Sequence, residues 1–252
     1  MLSILGYLKK DDYDLLAVVH GETSTGMLNH LDGLSKLCRE KDLLFLVDAV
    51  STLGGVELSV DDLGIDLCVS ASQKALGSIP GLSTISVSDK AWKQIKREEE
   101  IQGWYLNLRT WQRYEREWGD WHPFPMTMPV HLFFALNKAL DNILDEGLEN
   151  CWERHKRIAH LICSKLKNMG ISTFIKAKKH LLPTVTSAVL PGDYESESLQ
   201  KYLREEYGIL IALGVGTLRT KVFRIGHMAY SAQEHIVNRV ILGISGFLNT
   251  HT

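Results

Sequence analysis

Two short apolar runs between residues 43 and 76 constrain this chain more than any other feature. The first, Leu43-Leu44-Phe45-Leu46-Val47, delivers Asp48, and the second, Leu67-Cys68-Val69-Ser70-Ala71, leads through Ser72 and Gln73 to Lys74. The first run lacks the alternation of a half-exposed strand, as expected when helices cover both faces. Lys74 follows Asp48 by 26 residues, about one strand–crossover–strand unit. Both polar residues are therefore expected at the carboxyl ends of parallel strands, where open α/β sheets bind their ligands.

The rest of the chain surrounds this pair with similar elements. A strand is expected over residues 14–20, ending in the small, hydroxyl-rich loop Gly21-Glu22-Thr23-Ser24-Thr25-Gly26. Leu31, Leu34, Leu37 and Cys38 then recur at helical spacing over residues 31–41. A stretch of turns or helix containing Gly54 and Gly55 precedes the strand at 67–70, and a strand at 81–87 and a charged helix at 91–100 follow. Trp104, Trp111, Trp118 and Trp121, with Trp92 upstream and Tyr105 and Tyr114 between them, suit an interface or a loop anchored by aromatic rings. Pro123, Pro125 and Pro129 forbid a helix over 121–129.

Long helices are expected at 130–144 and 149–169, either side of a composition shift at Gly147. A strand near 183–190, a helix at 195–207, strands near 209–212 and 222–226 and a final helix at 232–248 complete the order. The expected division is residues 1–146, a mainly parallel α/β sheet with helices, and residues 147–252, a smaller α+β domain.

The balance of charges narrows the partners. With 23% charged residues and a formal net charge of −2, the chain has no basic surplus for nucleic acid. Glu115, Glu117 and Asp120 offset the arginines among the tryptophans, which weakens a single-strand binding reading. No apolar run reaches the length of a membrane span, and residues 1–10 are too short and too weakly apolar for a signal peptide. The last four residues carry no peroxisomal address. Cys38, Cys68, Cys151 and Cys163 are scattered, without the paired spacing of zinc sites or disulfide frameworks. A reducing cytoplasm is the expected compartment.

In isolation, a strand-end lysine is a surface charge and a strand-end aspartate caps a helix. Together they suit pyridoxal phosphate, which needs a lysine to hold it as a Schiff base and an aspartate to keep its pyridine nitrogen protonated. Ser72 and Gln73 offer donors for a phosphate, and Ala71 and Ala75 leave room beside the amine. Arg224, in Lys221-Val222-Phe223-Arg224-Ile225-Gly226, is a candidate clamp for a substrate carboxylate, with a surface salt bridge as the alternative. His20, His122 and His227 are read as structural.

Five separated segments, His20 to Gly26, Leu46 to Gly55, Ser70 to Leu76, Met126 to Pro129 and Phe223 to Gly226, resemble the class V pyridoxal-phosphate aminotransferases. The nearest subgroup is the alanine–glyoxylate and serine–pyruvate aminotransferases. The resemblance implies that Lys74 holds the cofactor and later moves the proton at the substrate α-carbon. It implies further that Asp48 pairs with the pyridine nitrogen, Val50 packs on the ring, Gln73 contacts the phosphate and Thr23 stands near the ring hydroxyl. Thr127 would reach the cofactor phosphate of a neighbouring subunit in a homodimer, and Arg224 would bind the substrate α-carboxylate. Thr23 stands where relatives often have serine.

Family members carry well over a hundred residues before the strand at 14–20, including a glycine-rich phosphate loop and an aromatic residue stacked on the ring. The sheet of this chain is therefore expected to be short, with an open edge. Two alternatives follow. One is a catalytically silent remnant that dimerises through residues 104–129. The other is a cysteine desulfurase, disfavoured because those enzymes typically have histidine where this chain has Gln73.

Overall fold

The computed structural model describes residues 13–97 and 103–250. The readings made for residues 1–10, for residues 98–100 of the charged helix and for the last two residues lie outside them.

β1 (Leu15–Val19), β4 (Leu44–Asp48) and β5 (Leu67–Ala71) lie side by side and parallel, and β6 (Ser83–Val87) closes the sheet antiparallel to β5. Val19 pairs with Asp48, and Asp48 with Val69, so three carboxyl ends fall in one row. Two backbone bonds extend that row: the His20 N–H donates to the Asp48 carbonyl (2.9 Å) and the Ala49 N–H to the Val69 carbonyl (2.8 Å). Between β1 and β4 come a two-rung hairpin, β2 (Gly21–Glu22) with β3 (Met27–Leu28), and helix α1 (Asp32–Glu40). The leucines anticipated for α1, Leu34 and Leu37, are buried with Leu31 and Cys38 against Phe45 and Val47.

One expectation is narrowed and another corrected here. Of the turns or helix expected between β4 and β5, the structure forms turns alone, closed by Thr52 N–H to Ala49 carbonyl and Gly55 N–H to Thr52 carbonyl bonds. The glycines there cannot be helical filler. Gly54 has φ +90° and Gly55 is pressed so closely that a Cβ would lie 2.7 Å from a Thr184 methyl. The aromatic stretch, in turn, is partly helix: α3 (Leu108–Trp118) follows α2 (Asp89–Ile95). The seven-residue step from Trp111 to Trp118 is two helical turns and carried that signal.

The proline segment 121–129 is irregular, as its composition requires, and leads into α4 (Val130–Glu146). Gly147, at φ +85°, breaks the chain before α5 (Leu148–Asn168). A second sheet follows, in the order β7 (Ser172–Thr173), β8 (Val185–Val189), β10 (Val222–Gly226), β9 (Ala212–Leu213), antiparallel throughout. The strand expected near 209–212 shrinks to the two residues of β9. Helices α6 (Ser196–Tyr207) and α7 (Glu234–Thr250) pack with α5 to bury Ile158, Ile162, Leu199, Leu203, Phe223 and Phe247. Among the described residues no helix is long and apolar enough to cross a membrane.

Candidate active site

Parallel pairing places Asp48 and the turn carrying Lys74 on one rim because both follow adjacent strands in the same direction. Asp48 is half-buried, and its Oδ1 accepts the Val50 N–H at 2.9 Å, which fixes the carboxylate plane. Its Oδ2 takes no hydrogen bond among the described residues. Lys74 is also half-buried, and its Nζ has neither a hydrogen bond nor an ion pair among those residues. Gln73 beside it is exposed. The donor set therefore fits pyridoxal phosphate: an aspartate oxygen left to accept, and an amine left uncommitted.

Ser72 stands apart from its neighbours. It is fully buried, and its hydroxyl donates to the Ile79 carbonyl (2.7 Å) while accepting the Leu82 N–H (3.3 Å). The side chain anticipated as a phosphate donor is thus engaged in shaping the turn that presents Lys74. Val50 is half-buried beside Asp48, and Thr127 is exposed on the irregular segment before α4.

Arg224 reaches this rim from the other sheet. Pairing of β10 with β8 and β9 aims it between them; its Nε donates to the Leu213 carbonyl (2.7 Å) and an Nη to the Thr23 carbonyl (3.1 Å). Thr23 and Arg224, some two hundred residues apart in the chain, therefore meet. The loop that carries Thr23 is held by its own chemistry. The Glu22 carboxylate accepts the Ser24 N–H (2.8 Å), and Gly26, at φ +72°, lies where a Cβ would sit 3.0 Å from the Ser187 hydroxyl.

Behind the rim, buried polar contacts brace each part and link the two. His20 Nδ1 and the Thr52 hydroxyl are 3.0 Å apart beside the first sheet, His227 Nε2 meets the Thr186 hydroxyl at 2.9 Å within the second, and the Thr184 hydroxyl donates across to the Ser51 carbonyl (2.8 Å). Burial lowers the pKa of His20 to about 4, with His30 nearby adding to the effect. Burial also lowers that of His227 to about 3. Both rings are neutral at neutral pH and hold structure, as expected for His20 and His227. A cleft of about 850 Å³ runs past His20, Glu57 and Lys156, and one of about 300 Å³ lies between Leu76, Glu146 and Arg154.

The residues that sequence reasoning passed over sit on α5. Cys151, His155, Ile158 and Ile162 share its buried face, so a cysteine and a histidine occupy core positions of an amphipathic helix. A polar side chain at such a position needs a buried partner, and that was the available signal. Arg154, next to them, forks onto Glu146 with bonds of 2.6 and 2.8 Å. That pair holds the Glu146 carboxyl below the usual range.

Comparison with known proteins shows the family. The family described as Aminotransferase class-V matches residues 3–238. An uncharacterized aminotransferase of Methanocaldococcus jannaschii is 41% identical over 229 residues, covering 91% of this chain and 58% of that protein. Alanine–glyoxylate aminotransferase of Mus musculus is 37% identical over 227 residues, covering 90% of this chain and 55% of its own length. The chain thus spans little more than half the length of these relatives. Among solved structures, alanine–glyoxylate aminotransferase from Nostoc sp. superimposes with a TM-score of 0.92 at 34% identity, over 98% of this chain and 65% of that one.

Proposed function

The chain belongs to the class-V aminotransferases, and on that premise we propose that it transfers an amino group from a small amino acid, such as alanine or serine, to a 2-oxo acid such as glyoxylate or pyruvate. The observation that carries this reading is the row of strand ends that gathers Asp48 and the Lys74 turn, with Arg224 arriving from the second sheet. Bound pyridoxal phosphate would supply an electron sink for the substrate α-carbon.

The chain's own residues would do the rest. Lys74 would hold the cofactor covalently and carry the proton to and from the α-carbon through Nζ. Asp48, already oriented by the Val50 amide, would accept the N–H of the protonated ring through Oδ2. Val50 would pack on the ring, with Thr23 near its hydroxyl. Gln73 would meet the phosphate, with Ser72 holding the turn beneath it. Arg224, its Nε and one Nη tied to backbone carbonyls, keeps a second Nη to donate to the substrate carboxylate. A homodimer would bring Thr127 to the neighbouring cofactor's phosphate. The exposed rings of Trp104 and Trp121 and the exposed Phe134 on the same stretch support such an interface. The division into a cofactor-binding part (1–146) and a smaller part (147–252) follows the two sheets. Four free cysteines accord with a cytoplasmic setting.

The direct test is borohydride reduction of the purified chain with pyridoxal phosphate, followed by peptide mapping. An adduct confined to Lys74, lost in Lys74→Ala, is expected. No adduct, or labelling spread over surface lysines, would overturn the reading and favour a catalytically silent chain. Arg224→Ala should raise KM for every α-amino acid by about tenfold to a hundredfold, since the carboxylate is common to all of them. An effect on one substrate alone would give the arginine a different role.

A further inference from the structure

The turn that presents Lys74 is not held by its own strand alone. Its closing bond is the Gly77 N–H to the Lys74 carbonyl (3.0 Å), and Gly77 adopts φ +77°. A Cβ on Gly77 would lie 2.8 Å from the Cβ of Ala229, so the Ala229 methyl is seated directly against that glycine. Ala229 itself, in the link between β10 and α7, has φ +48°, a left-handed conformation that an alanine does not take without external support.

Helix α5 supplies the support. The Ala229 N–H donates to His155 Nε2 (3.0 Å), and the Ala229 carbonyl accepts from an Nη of Arg154 (2.8 Å). His155 is fully buried, and its Nδ1 lies 2.7 Å from the Cys151 carbonyl. A carbonyl only accepts, so Nδ1 carries the hydrogen and Nε2 is the bare nitrogen that takes the Ala229 N–H. One neutral tautomer satisfies both bonds, and burial, which lowers the pKa of His155, keeps it in that form. The same helix grips the segment after Asp48. The Cys151 thiol donates to the Gly54 carbonyl (3.0 Å), and a Cβ on Gly55 would lie 3.0 Å from that of Ala75 and 3.3 Å from the His155 ring.

We propose that His155 is a positioning residue for Lys74: by accepting the Ala229 amide it holds Ala229 in the left-handed conformation that seats its methyl on Gly77, and so fixes the turn that aims the lysine. Its link to catalysis rests on the transaminase reading above, whereas the positioning of the turn does not depend on cofactor.

The experiment uses the full chain without cofactor and follows amide hydrogen exchange at Gly77, with β8 and β10 amides as internal controls of folding. Borohydride trapping of pyridoxal phosphate on Lys74 is then followed over time. His155→Leu should speed Gly77 exchange and slow Lys74 trapping by about tenfold each, because the Ala229 amide loses a buried acceptor. His155→Gln, which keeps an acceptor, should recover most of both. Wild-type Gly77 exchange in a folded His155→Leu chain would overturn the proposal. If His155→Leu does not fold, Ala229→Gly decides instead. It keeps the backbone geometry and the bond to His155 and removes only the methyl, so faster Gly77 exchange is expected and unchanged exchange would overturn the proposal. Absence of a Lys74 adduct in the wild type would remove the transaminase reading, while Gly77 exchange would still judge the positioning.

Discussion

The two sheets differ in how completely this chain covers them. In the second, β8 is buried along most of its length, and Phe223 and Phe247 are fully enclosed among the leucines and isoleucines of α5, α6 and α7. In the first, β1 alternates exposed and half-buried residues, and Leu15, Val19 and Ile85 remain 38%, 36% and 45% exposed on the outer strands. Yet the first sheet carries the candidate chemistry, at strand ends whose positions are set by backbone pairing and by the polar joint with the second. The lesson is a division of labour: the C-terminal half supplies packing, and the N-terminal half supplies groups aimed by register.

The sharpest way to break this comparison is to remove packing on each side. Phe223→Ala should cost about 3–5 kcal/mol in urea unfolding, the range for a fully buried aromatic. A cost below 1 kcal/mol would mean the second sheet is not the anchor. Acid titration should give an effect nearly as large. His20 and His227 both have folded pKa values below the unfolded value of about 6.5. The unfolded chain therefore binds protons that the folded chain refuses. Their contribution is complete above pH 6.5 and is lost as pH falls, through about 4 for His20 and about 3 for His227. For His20 the loss is about 3 kcal/mol. His20→Asn should flatten the stability slope between pH 6.5 and 4 by one proton's share, and His227→Asn by another. A slope unchanged in both variants would show that the surroundings of His20 and His227 open before either ring is reached.

A smaller effect tests the contact between α4 and α5. Glu146→Gln leaves the Arg154 guanidinium without its forked acceptor and should cost about 1–3 kcal/mol at pH 7. The folded Glu146 pKa is lowered chiefly by the Arg154 hydrogen bond. Its share of stability is therefore present above the unfolded carboxylate value and fades as pH drops through the folded one. Glu146→Gln should remove that acid limb, and a limb that persists would assign it to other carboxylates. The smallest effect is expected at the open edge, where Leu15→Thr should change stability by no more than about 0.5 kcal/mol. A loss of several kcal/mol would mean that β1 is covered in solution, by a second chain or otherwise.

Much of the architecture was legible because burial leaves a local imprint. The apolar run before Asp48, the leucines of α1 and the break at Gly147 each announce an element in a window of a few residues. α3 was overlooked because its half-buried face is built from aromatic rings, Trp111, Tyr114 and Trp118, which equally suit a loop anchored by aromatics. The turns of the crossover showed in its glycines, but Gly54 and Gly55 are held by distant atoms, Leu76 and Thr184, which no near neighbour announces. The same holds within the site. Asp48 and Lys74 could be picked out by where their strands end, but Ser72 looked like a ligand donor until the Ile79 and Leu82 backbone claimed its hydroxyl.

What the sequence by itself determined is the order of elements and the placing of an acid and an amine at the ends of two strands, since alternation, helical period and turn residues are local properties. What only the tertiary structure decided is which distant groups hold them. Arg224 meets Thr23 because β10 pairs with both β8 and β9, and His155 reaches Ala229 because α5 packs across the seam between the sheets. Such contacts join residues 74 and 201 positions apart. Their geometry follows from pairing register and helix packing, which no short window of sequence contains.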